Sequence, residues 1–205
     1  MMQRFRISTF AMAVVGLVAT LMVAPTARAQ VTYQYDSGTF RELFNNSEGI
    51  ETEDNFVGNL FTVVAGGTSL LSFDLGVGRN VPPNTPVSLV IYDGTLTRIH
   101  TTETTVTGFE GQIVNLPLDN SVDLNEGDTF LAAVLMRNVP GDWFPFLNDI
   151  DPPTQGGSYF DVGPAQGAPY DLDDLTNLTL LGATHPVVGA GVQSPGNLGL
   201  RVRAQ

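Results

Sequence analysis

Along most of this chain, apolar residues return at every second position. That spacing puts them on one face of a pleated strand, with polar residues on the other. Leu71, Phe73, Leu75 and Val77 alternate with Ser72, Asp74 and Gly76. Val87, Leu89 and Ile91 alternate with Ser88, Val90 and Tyr92. From Thr129 to Arg137 both phases are apolar: Leu131, Ala133 and Leu135 on one, Phe130, Ala132, Val134 and Met136 on the other. A strand apolar on both faces belongs in the middle of a sheet with both sides covered. Val31, Tyr33 and Tyr35 open a strand near the start, and Leu198, Leu200, Val202 and Ala204 form one at the end. The predicted core is Leu71, Phe73, Leu75, Leu89, Ile91, Phe130, Leu131, Val134, Leu135 and Val202.

Turn residues separate these runs. Ala65-Gly66-Gly67 follows a strand near Asn55–Val63. Asn80-Val81-Pro82-Pro83-Asn84-Thr85-Pro86 is read as a loop, because proline lacks the donor a sheet ladder needs. Asp93-Gly94 is a hairpin dipeptide, and Asn125-Glu126-Gly127-Asp128 leads into the Phe130 strand. Helical periodicity is nearly absent and no βαβ alternation occurs. The expected fold is all-β: an antiparallel β-sandwich of about nine or ten strands, jelly-roll-like. Two stretches depart from the pattern. Asn45 to Asp54 is polar and acidic and reads as a loop. Gly163 to Gln193 is rich in Gly and Pro, with Leu172, Leu175 and Leu178 spaced for one or two helical turns.

The first 29 residues have a different character. Arg4 and Arg6 precede an apolar run from Phe10 to Ala24, and Pro25 and Ala27-Arg28-Ala29 follow. A basic start, a short apolar stretch and an A-x-A site describe a secretory signal peptide at 1–29. The run falls short of the roughly 20 residues that span a bilayer. The working protein is then a single domain, 30–205, secreted into the periplasm or the medium. Leu200 to Gln205 reads as a strand, with no apolar tail to anchor it. No membrane insertion is expected after cleavage.

Charge narrows the partners. The formal net charge is −12. The first 29 residues hold three of the nine basic residues and none of the 21 acidic ones, leaving −15 on the remainder. No lysine occurs. Such a chain repels nucleic-acid backbones and anionic membrane surfaces. Cations, neutral sugars and basic proteins remain as partners. Cysteine is also absent, which excludes disulfides, thiol catalysis and thiolate metal sites.

Several segments together have a familiar layout. They are Tyr35-Asp36-Ser37-Gly38-Thr39, Asn59-Leu60-Phe61-Thr62-Val63, Pro86 to Asp93, Gly127-Asp128-Thr129-Phe130, Gly156-Gly157-Ser158-Tyr159 and Asn197 to Ala204. Over most of Val31–Gln205 the chain resembles secreted β-sandwich domains of bacterial exported proteins, often jelly-roll-like. The resemblance implies the fold and an extracellular location, and brings no catalytic residues with it.

The chemistry-bearing residues are sparse. Gly-x-Ser-x-Gly is absent, and Gly156-Gly157-Ser158-Tyr159-Phe160 lacks its closing glycine. The two histidines, His100 and His185, sit in unrelated contexts. Asp171, Asp173 and Asp174 are crowded carboxylates, and Asp149 and Asp151 form a second pair. Hard cations take such oxygen ligands from loops, so a structural calcium is the one cofactor these residues suggest. Asp123 to Asp128 starts like a calcium-binding EF-hand loop, but its glycine comes one position early and Val134 stands where the distant glutamate is needed. Trp143, Tyr92, Tyr159 and Tyr170 are the rings that could stack on a sugar.

The reading is an exported, non-catalytic binding or assembly module at the cell exterior, recognising a surface protein, matrix or extracellular glycan. The alternatives are a secreted hydrolase such as a glycosidase or lyase, and a purely structural extracellular component. Export predicts cleavage between Ala29 and Gln30. N-terminal sequencing or intact mass of exported protein should give Gln30 or its pyroglutamate. Ala29→Arg should block processing, since the site takes small side chains. An N-terminus at Met1 or Met2 on exported protein would contradict the signal.

Overall fold

A computed structural model describes residues 29–38, 40–42, 52–140, 143–149, 157–162, 169–180 and 197–205. The segment 1–28, Asp151 and His185 lie outside the described residues. The described chain is all-β, in the order β1 (Val31–Tyr33), β2 (Phe40–Glu42), β3 (Thr52–Thr62), β4 (Ser69–Arg79), β5 (Thr85–Asp93), β6 (Arg98–Val106), β7 (Ile113–Asp123), β8 (Thr129–Pro140), β9 (Phe144–Asp149), β10 (Ser158–Val162), β11 (Thr179–Leu180), β12 (Asn197–Leu198) and β13 (Leu200–Ala204). No helix among the described residues is long and apolar enough to cross a membrane.

The strands form two antiparallel sheets. One runs β11-β10-β3-β8-β5-β6. The other runs β1-β13-β4-β9-β12, with β2 also on β9 and β7 also on β4. In this second sheet β4 and β9 pair at Val77–Phe146 and Arg79–Phe144 and then diverge. The final segment fills the fork: β12 pairs with β9, and β13 pairs with β4. Gly199 sits in the angle, donating to Leu147 O at 2.9 Å and accepting from Gly76 N at 2.7 Å. A Cβ there would come within 2.9 Å of the Phe40 ring, which would have to shift to admit a larger residue.

The core lies between the sheets. Val57, Phe61, Phe73, Leu75, Val77, Leu89, Ile91, Phe130, Val134, Phe146, Leu200 and Val202 interlock there. Fully burying one such side chain contributes about 1.5–3 kcal/mol. A second apolar cluster covers the outer face of the six-stranded sheet: Phe56, Val90, Tyr92, Leu131, Ala133 and Leu135, with Tyr170 and Leu172 over them. The double-faced β8 is central, between β3 and β5, as its sequence predicts.

One expected core position is displaced. Leu71 is only half-buried, and Leu70 takes the inward place. The cause is a bulge. Against β13, Arg203 pairs with Ser72 but Ala204 pairs with Leu70, so Leu71 is the extra residue. An inserted residue flips the pleat for everything on one side of it. Leu70 and Phe73 therefore face the same way although three positions apart.

Other boundaries also shift. β3 begins at Thr52, inside the stretch read as a loop, and Glu53 and Asp54 are buried. Asp54 is tolerated because its carboxylate accepts from Arg137 Nη1 at 2.9 Å, Asn138 N at 2.8 Å and Tyr170 N at 2.9 Å. β5 begins at Thr85, so Pro86 is within a strand; it lies before the first β8 pairing at Val87, where a missing donor costs little. The hairpin after Asp93 is longer than a two-residue turn. Asp93 Oδ1 accepts from Thr95 N, Thr95 Oγ1 and Thr97 N, and Leu96 takes the left-handed conformation at φ 63°. Leu172, Leu175 and Leu178 are spaced by two consecutive turns rather than a helix, closed by Asp174 N to Asp171 O and Leu178 N to Leu175 O.

Two sets of polar contacts reinforce this arrangement. Between the sheets, buried Asn59 of β3 donates to Leu200 O at 2.7 Å and Leu198 O at 3.4 Å. Its Oδ1 accepts from Ser158 Oγ at 2.7 Å, and Ser158 Oγ accepts from Leu198 N at 3.1 Å. On the outer face of the seven-stranded sheet, Asp74 accepts from Arg203 Nε and Asn115 Nδ2, and buried Asp36 pairs with Arg201.

The bulge yields a paired test. Leu70→Ala should cost about 2–5 kcal/mol in urea unfolding, the range for a buried leucine, whereas Leu71→Ala should cost less than about half as much. Equal losses would mean the phase shift is absent.

Candidate functional site

The four rings proposed for sugar stacking have separate fates. Tyr92 is 0% exposed; its hydroxyl donates to Leu172 O at 2.8 Å. Tyr170 is buried too, stacked on Phe56 at 5.2 Å between centroids and donating to Asp161 Oδ2 at 2.8 Å. Neither ring has a face left for a ligand, because each is packing between the six-stranded sheet and the 169–178 segment. Burial raises both phenol pKa values, and the Asp161 carboxylate adds to the rise at Tyr170. Tyr159 is half-buried against the same cluster. Trp143 is half-buried against the inter-sheet core, at one end of the sandwich.

The candidate calcium ligands are dispersed among local partners. Asp171 Oδ1 accepts from Asp173 N at 2.9 Å. Asp173 Oδ2 pairs with Arg98 Nη2 at 2.7 Å. Asp174 Oδ1 accepts from Thr176 N and Thr176 Oγ1. Asp149 is buried on β9 of the other sheet, accepting from Ser37 N. Among the described residues, no three His, Asp or Glu side chains come together as a metal-binding group. Asp171 and Asp174 each close a short Asx-type turn.

Hydrolytic groups are similarly occupied. Ser158 is buried in the inter-sheet contact with Asn59, out of reach of a substrate. His100 Nε2 lies 2.9 Å from Asp119 Oδ1 and 3.0 Å from Thr102 Oγ1, closing the edge between β6 and β7. Hydrogen bonds hold Asp119, Asp93 and Asp174 below the ordinary carboxylate range, chiefly from Thr102, Thr95 and Thr176 respectively.

The residue the sequence reading missed is Phe109, 84% exposed. It lies between β6 and β7 in Gly108-Phe109-Glu110-Gly111-Gln112. An aromatic between two glycines, outside any period-two run, is the signal that could have found it. A single exposed apolar residue is ordinary; the turn beneath it is what sets this one apart. Gln112 N donates to Phe109 O at 2.9 Å, and Phe109 N donates to Gln112 Oε1 at 3.1 Å. The turn is tied to β4 through Gly111 N to Val77 O and Val77 N to Gln112 O, at 2.9 and 2.8 Å. Gly108 presses on Val114 so closely that a Cβ would approach Val114 Cγ2 to 2.7 Å. The neighbouring β4–β5 loop joins through Asn84 N to Thr107 Oγ1 at 2.9 Å.

Trp143 reaches the same end from the far side of β4. Its neighbour Phe144 pairs with Arg79, while Gln112 hydrogen-bonds Val77 on the opposite edge. The two segments are thus about two strand spacings apart, about 10 Å. Phe109, Asn84, Glu110 and Gln112 are exposed there, with half-buried Val81 and Trp143 capping the core. No family model, curated protein or solved structure matches the chain.

The raised phenols predict an alkaline limit to stability. Below pH 10, Tyr92 and Tyr170 are neutral in both folded and unfolded chains. Above it, the unfolded phenols ionise while the folded ones resist, so their stabilising contribution fades as pH climbs through the folded pKa values. Urea unfolding from pH 8 to 11 should show stability falling above about pH 10. Tyr92→Phe combined with Tyr170→Phe should flatten that slope. An unchanged slope would mean other groups govern it.

Proposed function

We propose that this chain is exported and works as a non-catalytic module binding a glycan, matrix or surface component outside the cell. The observation that carries the reading is Phe109, held in the open on a hydrogen-bonded turn among polar neighbours. A ring already fixed in place loses little freedom on binding, which favours recognition. Ser158 is engaged by Asn59 and Leu198 in the inter-sheet contact, which weighs against its serving as a hydrolase nucleophile.

We also read the sandwich as a jelly roll. The neighbour order β2-β9-β4-β7 in one sheet and β3-β8-β5-β6 in the other supports this. Two interlocked Greek keys generate that interleaving. In such a fold the β4–β5, β6–β7 and β8–β9 connections gather at one end, as the Phe109 and Trp143 segments do.

The test is a co-sedimentation assay with insoluble polysaccharides and washed cell envelopes. Retention without release of reducing ends is the expected result. Reducing ends appearing in step with protein concentration would establish a hydrolase instead. Failure to associate with any surface would favour the purely structural alternative.

A further inference from the structure

We propose that the β4–β5 and β6–β7 loops form a binding site for a neutral pyranose, with Phe109 as the ring on which the sugar stacks. This assignment rests on the binding-module reading above and names its ligand class. A pyranose presents a face of C–H groups bounded by hydroxyls. Its complement is one flat apolar surface ringed by hydrogen-bonding groups, a small apolar area with a few placed polar ones. Phe109 supplies the surface.

The rim is polar and of the right kind. Gln112 uses Oε1 to hold the Phe109 N–H, which leaves its amide NH2 group as a donor. Asn84 uses its backbone N–H and Oδ1 on Thr107, which leaves its own NH2 group. Glu110, which follows Phe109 in the turn and is exposed, is an acceptor. Sugar hydroxyls both donate and accept, so two amide donors and one carboxylate match them.

The same surroundings disfavour other ligands. A protein-binding hot spot is enclosed by contacts that exclude water, and the residues around Phe109 are polar and exposed. Phosphorylated, sulfated or uronic sugars would meet Glu110 and a chain of net charge −12. An anionic lipid surface meets the same repulsion.

The hydrogen bonds that fix the turn are made by backbone and by Gln112, so the Phe109 side chain can change without disturbing it. Trp143 is the single tryptophan and caps this end of the core, so its emission is a local reporter.

The experiment titrates purified exported protein with cellohexaose, xylohexaose and mannohexaose, and with oligogalacturonate as the charged comparison. Calorimetry and Trp143 fluorescence are read together. At least one neutral oligosaccharide should bind more tightly than the galacturonate. Phe109→Ala should weaken that binding by at least about tenfold, equivalent to about 1.4 kcal/mol, with an unchanged melting temperature. Phe109→Tyr should retain it. Neutral-sugar binding that survives Phe109→Ala within about twofold would overturn the site while leaving the binding-module reading standing. Equal or tighter galacturonate binding would overturn the neutral-ligand assignment. If no oligosaccharide binds but envelope retention still depends on Phe109, the ligand is not a sugar and the assignment fails. Absence of both oligosaccharide binding and envelope retention would remove the binding-module reading as well.

Discussion

Among the described residues, a buried polar contact between the two sheets ties down the last strands, and their placing depends on it. Asn59 and Ser158 lie 99 residues apart on adjacent strands of one sheet, and together they hold Leu198 and Leu200 of the other. A buried amide in an otherwise apolar core is costly unless paired. Here its donors meet two main-chain carbonyls and its oxygen meets a hydroxyl. Each group left orphaned by loss of Asn59 would cost about 1–3 kcal/mol. Apolar packing alone is nondirectional and would tolerate a slipped strand. The contact defines the register of β12 and β13, and so positions Gly199 in the fork between β4 and β9.

A second constraint follows from β8. Because both its faces are apolar, the six-stranded sheet cannot leave its outer face to water. The segment 169–178 covers it, and two buried groups hold that cover down. Asp54 receives Tyr170 N and Arg137, and Tyr92 donates to Leu172 O. The seven-stranded sheet answers the same problem differently, with Asp74, Asn115, Ser72 and Arg203 bonded across its outer surface. One face is a third layer, the other a polar ladder. Among the described residues neither face offers an open apolar platform, and Phe109 stands clear at the loop end.

At that end, function and stability make separate demands on neighbouring rings. Trp143 and Val81 close the core, while Phe109, two strand spacings away, adds nothing to it. The turn under Phe109 is nonetheless as well bonded as a strand end. A rigid support beneath an unpacked ring is the arrangement expected of a contact residue.

The all-β class, the two-faced β8 and most of the core were legible in the sequence. Strand alternation is a property of the pleat and needs only neighbours in sequence. The phases of Phe73, Leu75, Leu89, Ile91 and Val202 could therefore be read directly. What the sequence could not yield depends on partners distant along the chain. Leu71 loses its core place because β13 pairs across a bulge. Asp54 becomes a buried strand residue because Arg137 and Tyr170 arrive from 83 and 116 residues away. Tyr92 and Tyr170 are buried because the 169–178 segment folds over the sheet, and Asp171, Asp173 and Asp174 each accept from a neighbouring turn or from Arg98. Periodicity reports which side of a strand a residue occupies. Only the tertiary structure decides whether that side meets core, cover or water, because that depends on which strand or segment packs against it.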